Sequence, residues 1–97
     1  MDLDMARNRF EQVDETQPDA VTLVLMKDGD ANFGIVTCPA AIARGKLAVD
    51  TTSEKMPAKD AFRSAVRLAN EIKAPIVVHD PGSLWDSEWG DLYRPLD

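Results

Sequence analysis

The clearest periodic pattern in the chain lies in residues 57–80. Apolar side chains recur there at the three- and four-residue spacing of one helical face, and they are Phe62, Ala65, Val66, Ala69 and Ile72. Proline fits the first turn of a helix and disrupts its interior, so Pro57 marks the start of a helix and Pro75 forbids its continuation beyond Lys73. The pattern therefore predicts one long amphipathic helix.

Four segments have the composition of strands, and they cover residues 20–27, 33–38, 46–52 and 76–79. The first segment is apolar on both faces, which favours a central strand that is covered on two sides. Glycine and Asx residues at positions 28–32 predict a hairpin between the first two strands. Gly34 predicts a bulge in the second strand.

These elements predict an α+β fold: a small mixed sheet of about four strands, in the order β-β-β-α-β, packed on one long helix, with a short C-terminal helix that contains tryptophan. Two arrangements fit the last strand. A right-handed crossover through the long helix makes it parallel to the third strand, whereas pairing beside the first strand leaves its direction open.

The first part of the chain allows two interpretations. Leu3, Ala6, Phe10 and Val13 have helical spacing, but no convincing capping residue precedes them and the positions between them are strongly charged. We therefore describe residues 1–19 as a charged N-terminal arm or a loosely docked helix, and residues 20–97 as a single α+β domain.

The charge of the chain argues against anionic partners. Of its 97 residues, 17 are acidic and 11 are basic, which gives a net charge of −6, and both ends are more acidic than the middle. Phosphate backbones and anionic membrane surfaces attract basic patches, so binding of this chain to nucleic acid or to a membrane is disfavoured.

Cysteine usage and the N-terminal sequence indicate the cellular compartment. Cys38 is the single cysteine, which excludes an intramolecular disulfide and fits a reducing environment. The N-terminal residues carry acids where a secretory signal carries bases, and no apolar run is long enough to span a bilayer. We expect a cytoplasmic protein.

Trp85 and Trp89 are the most distinctive local feature. They lie four residues apart and would share one face of the short helix, for which Ser83 is the expected cap. Two alternatives are open: the indoles close the second apolar face of the sheet as a lid, or they stay partly exposed beside Tyr93 as an interaction patch. The second face of the sheet is expected to present Val24, Met26 and Val77.

A row of three basic residues, Lys59, Arg63 and Arg67, follows the outer face of the long helix at four-residue spacing. Three aligned cations can meet phosphates or an acidic partner. The same spacing is typical of a solvated helix face, and Glu71 can offset the charge of Arg67. The row is therefore an interaction candidate with a simple structural alternative.

His79 and Asp80 follow the last strand, at a position where loops often carry binding groups. They are candidates for a ligand site, joined by Cys38 if the fold brings it near. No nucleophile, phosphate-loop, dinucleotide or zinc motif occurs in the chain, and the Asx-rich turn lacks the spacing and the final glutamate of a calcium loop. We therefore assign no catalytic residue, no cofactor and no metal ligand.

These observations lead to one principal functional hypothesis and two alternatives. The principal hypothesis is a small protein that acts by contact with another protein or with a second copy of itself, without catalytic activity. The first alternative is a small-ligand binder or enzyme with a site near His79 and Asp80. The second is nucleic-acid binding through the helix row of Lys59, Arg63 and Arg67.

Overall fold

The computed structural model describes residues 9–42 and 50–94, and within them one helix packs on a mixed sheet of seven strands. The strands are β1 (Arg9–Gln12), β2 (Val21–Asp28), β3 (Ala31–Cys38), β4 (Thr51–Thr52), β5 (Met56–Pro57), β6 (Ile76–His79) and β7 (Asp91–Tyr93). Helix α1 (Ala58–Ile72) lies between β5 and β6 in the chain. The α+β class is confirmed. The expected number of about four strands is wrong, because several strands are too short to produce a period.

The strands lie in the order β4-β3-β2-β6-β1-β7, and β5 also pairs with β3. The four strands β2, β6, β1 and β7 run parallel to one another. Strand β3 is antiparallel to β2, and the two short strands β4 and β5 are antiparallel to β3. The last predicted strand thus pairs beside the first one, in parallel, with Val21 opposite Ile76. It is not a neighbour of β4, which belongs to the described part of the third predicted strand.

The β2–β3 hairpin is confirmed, with a two-residue turn in which Gly29 adopts φ 64°. The predicted bulge at Gly34 is wrong. The ladder is continuous from Thr22 opposite Thr37 to Asp28 opposite Ala31, with Gly34 paired to Leu25. Gly34 instead permits a close approach of α1, because a side chain there would collide with the helix.

Helix α1 begins after Pro57 and ends at Lys73, which adopts a left-handed conformation with φ 57° and donates its N–H to the carbonyl of Ala69. Its buried residues are Ala58, Ala61, Ala65, Ala69 and Ile72. Phe62 and Val66, which the pattern also assigns to the core face, are half-buried at its flanks. The contact with the sheet is therefore made mainly by alanines, which let the helix approach closely.

Residues 9–12 form β1, so the helical interpretation is wrong for this part of the chain. The strand is held by partners that are distant in sequence: Glu11 pairs with Val77 of β6, and Phe10 pairs with Leu92 of β7. The helical spacing of the apolar residues was therefore overridden by tertiary pairing. Residues 1–8 lie outside the described part of the chain, as do residues 46–49 of the third predicted strand.

The connection from β1 to β2, residues 13–20, is named here the crossing loop. It passes over β6, because β1 and β2 are parallel strands on either side of β6. Val13 and Ala20 of the loop form a small buried cluster with Val77 of β6. The N–H of Gln17 donates to Oγ1 of Thr22 over 3.1 Å. The loop therefore covers the face of the sheet opposite α1, at the first residues of β2.

The expected C-terminal helix is only a short 3-10 turn, Ser87–Trp89. Asp86 caps it by accepting the N–H of Glu88 over 2.9 Å, so Ser83 is not the cap. Ser83 instead takes a left-handed conformation with φ 57° in the preceding loop. Trp85 precedes this turn, and the two indoles do not share a helical face.

Candidate functional site

The two tryptophans belong to an aromatic cluster on the α1 side of the sheet. Phe62 of α1 stacks on Trp89 at 4.8 Å between ring centroids, and Trp85 meets Trp89 edge to face at 5.1 Å. Phe10 of β1 lies 5.2 Å from Trp85 and 5.7 Å from Phe62. Nε1 of Trp85 donates to the carbonyl of Gly90 over 3.0 Å. Such packing contributes about 0.5–1.5 kcal/mol per aromatic pair beyond burial itself.

The prediction that the tryptophans form a lid over the second face of the sheet is therefore wrong. The tryptophan segment packs against the same core as α1, because Phe10 and Phe62 offer an aromatic platform there. Both indoles are half-buried. Tyr93, the third aromatic interaction candidate, is 37% exposed, and the guanidinium of Arg9 lies 4.5 Å from the centre of its ring.

Asp80 anchors the tryptophan segment and is 3% exposed. Its Oδ1 accepts the N–H of Leu84 over 2.8 Å, and its Oδ2 accepts the N–H of Trp85 over 2.9 Å. Its backbone carbonyl accepts Nε2 of Gln12 over 3.1 Å. A buried carboxylate needs such donors. Both oxygens of this ligand-site candidate are thus engaged in holding the loop.

His79, the other ligand-site candidate, lies on the face opposite α1, where it pairs with Val24. Its Nδ1 is 3.1 Å from the carbonyl oxygen of Val13. A carbonyl can only accept, so we assign the proton to Nδ1. Cys38 belongs to the core on the α1 side, and the sheet separates it from His79. The expected grouping of these two residues is not formed.

The basic row of Lys59, Arg63 and Arg67 is exposed on α1. Within residues 9–42 and 50–94, none of the three makes an ion pair. The row has the geometry of a solvated helix face, on a chain whose net charge is −6.

The face of the sheet opposite α1 carries four half-buried apolar side chains, which we name the strip. It consists of Val24 and Met26 of β2 and Phe33 and Ile35 of β3. Val24 lies opposite Ile35, and Met26 lies opposite Phe33. None of the four belongs to a core cluster of the described residues. In this part of the chain α1, the tryptophan segment and Ile42 all pack on the other face.

Sequence analysis identified half of the strip. Val24 and Met26 were expected on the second face, whereas Phe33 and Ile35 were not singled out. The alternation of Phe33 and Ile35 with Gly34 and Val36 was the available signal, because cross-strand partners in a hairpin share a face. The tryptophans were expected to cover this face, and an exposed apolar surface was therefore not predicted there.

One ion pair borders the strip, and a second joins the crossing loop to the residue that follows β7. Nζ of Lys55 is 2.9 Å from Oδ2 of Asp28 and lies 4.8 Å from the ring centre of Phe33. Nη1 of Arg94 is 2.8 Å from Oδ1 of Asp14. In each pair the hydrogen bond and then the charge of the basic partner lower the pKa of the aspartate. These bases are therefore already matched within the chain.

A cavity of about 410 Å³ lies between the crossing loop and the ends of β3 and β4. Its lining includes four threonines, Thr16, Thr37, Thr51 and Thr52, together with Cys38 and Asp50. Neither His79 nor Asp80 contributes to it. In the described residues, no group of three or more histidine, cysteine, aspartate or glutamate side chains is arranged to hold a metal ion. No helix among them is long and apolar enough to cross a membrane.

Comparison with known proteins gives no match: no protein-family model, no curated protein and no solved structure resembles this chain. Functional inference therefore rests on the surface described above.

Proposed function

We propose that this protein is a protein-interaction module that buries the strip against a second polypeptide. The observation that carries the proposal is the half-exposed pairing of Val24 with Ile35 and of Met26 with Phe33, on a face of the sheet where no described helix packs. In this proposal the partner packs on this face of the sheet, as α1 packs on the opposite face.

The composition of β2 supports this proposal. The strand is apolar on both faces and lies between the parallel strand β6 and the antiparallel strand β3. Strands with this pattern are usually covered on both faces. Helix α1 covers one face, and the crossing loop covers the other face only at the start of β2. The remainder of β2 is where a partner adds most burial.

The strip also limits the strength of the contact. Full burial of an apolar side chain of this size contributes about 1.5–3 kcal/mol. Because the four side chains are already half-buried, completing their burial contributes about 3–6 kcal/mol in total, before the cost of association. The strip alone therefore supports a weak or transient contact, and the charged groups around it have to contribute to affinity.

The tryptophan pair fits an interaction surface less well than the strip. Trp85 has its indole N–H satisfied by Gly90, and Trp89 stacks on Phe62. The ligand-site alternative is also weakened, because both oxygens of Asp80 hold backbone N–H groups. We therefore direct the experiment at the sheet face.

The test is site-specific photo-crosslinking in the cells that make this protein. A photoreactive residue replaces Ile35 in one variant and Arg67, on the exposed face of α1, in the control. We expect a discrete adduct from position 35, none from position 67, and loss of the position-35 adduct when Val24→Asp is added. An adduct of twice the chain mass would identify a second copy as the partner.

Folding is checked separately, because Val24→Asp changes a half-buried position. The aromatic cluster lies on the opposite face, so unchanged tryptophan fluorescence reports an intact core. Equal adducts from both positions, or no adduct from position 35 in a folded protein, would contradict the proposed contact.

A further inference from the structure

We infer that the partner of the strip is a cationic amphipathic helix, with apolar residues along one side and lysine or arginine at both ends. This inference rests on the proposed contact function. It names the partner class, and it follows from the charges around the strip and from the distance between the crossing loop and the hairpin turn.

Among the described residues, the basic side chains on this face make contacts within the chain. Lys55 pairs with Asp28, Arg94 pairs with Asp14, and Arg9 lies over the ring of Tyr93. The charges of Lys55 and Arg94 are therefore matched by carboxylates, and Arg9 lies on β1, two strands away from β2.

Lys27 is not part of this rim. It alternates with Met26 along β2, so it projects from the α1 face of the sheet. It does not offset the charge around the strip.

The acidic groups at the two ends of the strip are unmatched. Glu15 and Asp19 lie on the crossing loop, and Asp30 lies in the turn of the β2–β3 hairpin. All three are exposed, and none makes an ion pair in the described part of the chain. Unpaired carboxylates at an interface rim favour partners of opposite charge and raise their association rate.

The geometry sets the length of the partner. Along β2, the crossing loop lies over Thr22 and the hairpin turn contains Gly29, seven residues later. At about 3.3 Å per residue this distance is roughly 23 Å. A helix of about 15 residues has that length, at 1.5 Å per residue. A partner helix lying along the strip would thus place its two ends near the two acidic sites.

A second copy of the chain is a poorer fit. Two strips packed face to face would bring the acidic rims together, which costs free energy. The outward face of α1 is cationic through Lys59, Arg63 and Arg67, but its other exposed residues are polar, so it offers no apolar side to the strip. No described surface of the chain is both apolar and cationic.

The test uses two synthetic helical peptides of about 15 residues as probes. Both carry the same leucine face; one has lysines at both ends and the other has glutamates. Affinity is measured by fluorescence anisotropy, and the site is mapped by chemical-shift perturbation of isotope-labelled protein. We expect the lysine peptide to bind at least about tenfold more tightly at low salt, with the advantage shrinking several-fold at about 0.5 M salt.

A charge-reversed variant provides the internal control. In Glu15→Lys/Asp19→Lys/Asp30→Lys the preference is expected to reverse in favour of the glutamate peptide. The matched variant Asp60→Lys/Glu71→Lys/Glu88→Lys changes the net charge equally, but its three positions are exposed on α1 and beside the tryptophans. It is expected to retain the preference for the lysine peptide. All six positions are exposed, so both variants are expected to fold.

The outcomes separate this inference from the proposed function. Equal binding of both peptides at the strip would overturn the cationic partner and leave the contact function standing. Concentration-dependent dimerisation by light scattering, with shifts at the strip, would replace the helix by a second copy. Contacts between the strip and residues 1–8 in nuclear Overhauser spectra would overturn both proposals, and so would failure of both peptides together with no adduct from position 35.

Discussion

Gly34 of β3 lies directly against Ala61 of α1: a Cβ atom placed on Gly34 would be 2.6 Å from the Cβ of Ala61. Such a distance is shorter than any that two Cβ atoms adopt, so either the helix or the strand would have to move. Ala61 is fully buried. The two residues together determine how closely α1 approaches the sheet.

This contact predicts a compensating pair of substitutions. Gly34→Ala is expected to lower the free energy of unfolding by about 1–3 kcal/mol through overpacking. Ala61→Gly is expected to lower it by about 1 kcal/mol through helix propensity. In the double variant the collision is absent, so the combined loss measured by urea unfolding should be smaller than the sum of the two single losses by about 1 kcal/mol or more.

Gly82 provides the control for this cycle. A Cβ on Gly82 would meet only Leu84, at 3.6 Å and beyond, which is ordinary contact. Gly82→Ala is therefore expected to change the free energy of unfolding by less than about 0.5 kcal/mol. Additive losses for Gly34→Ala and Ala61→Gly would mean that the two residues do not limit the helix position.

The elements that sequence could predict are those with local signals. Helix α1 has a long periodic face between Pro57 and Pro75, and the β2–β3 hairpin has glycine and Asx residues at its turn. Neither element depends on residues that are far away in the sequence. Both are therefore found at nearly their predicted bounds.

The elements that sequence missed depend on distant partners. β1 has four residues and β7 has three, too few to establish a period, and they form because they pair with each other and with β6. The side of the sheet on which the tryptophans pack also has no local signal. It follows from the placement of Phe10 on the α1 face, which a pattern cannot show before β1 is known.

Asp80 is predicted to be required for the packing of the tryptophans. Asp80→Ala leaves the N–H groups of Leu84 and Trp85 without their carboxylate acceptor. Each lost hydrogen bond to a charged group costs about 1.5–3 kcal/mol, so we expect a loss of at least about 2 kcal/mol in the free energy of unfolding. Tryptophan emission is expected to shift to longer wavelength, since the indoles become more exposed.

A smaller loss is expected for Asp80→Asn, because an amide oxygen can still accept one of the two N–H groups. Asp19→Asn is the control, since Asp19 is exposed and makes no ion pair among the described residues. Unchanged emission in Asp80→Ala would show that the aromatic contacts hold the segment without the carboxylate.

The pair of Asp14 and Arg94 predicts a stability term that depends on pH. The hydrogen bond and charge of Arg94 lower the pKa of Asp14 in the folded state. Its contribution is therefore present above the unfolded carboxyl pKa of about 3.9 and is lost as the pH falls through the lower folded value. The difference in urea midpoint between the natural chain and Asp14→Asn should be small near pH 7 and smaller near pH 2.5.

Salt separates this effect from a general response to acid. Both side chains are largely exposed, so about 0.5 M salt near pH 7 should also reduce the difference. A difference that grows on acidification would show that Asp14 acts through its neutral form.

Cys38 is predicted to be unreactive in the folded protein. It is 2% exposed, and burial, followed by the negative charge of Asp50, raises the pKa of its thiol. Reaction with a disulfide reagent near pH 8 should be on the order of a hundredfold slower than in the urea-unfolded chain. Comparable rates in the two states would show that the cysteine reaches solvent through local opening.

The raised pKa of the Cys38 thiol also makes the stability of the folded chain depend on pH. The neutral thiol's contribution to stability is present below the unfolded pKa of about 8.5 and is lost as the pH rises through the folded value. The stability difference between the natural chain and Cys38→Ala should therefore change between about pH 8 and pH 10, to the disadvantage of the natural chain. A difference that is constant over this range would contradict the assignment.

Strand β6 lies between β1 and β2 in the sheet but follows both of them in the chain. This arrangement affects the order in which the strands are incorporated into the sheet. The partners of β1 are β6 and β7, with Glu11 opposite Val77 and Arg9 opposite Asp91. The β2–β3 hairpin can form as soon as it has been synthesised, but β1 has to wait until β6 and β7 have been synthesised. Although β1 precedes the other strands that the structure describes, it is therefore among the last to be incorporated.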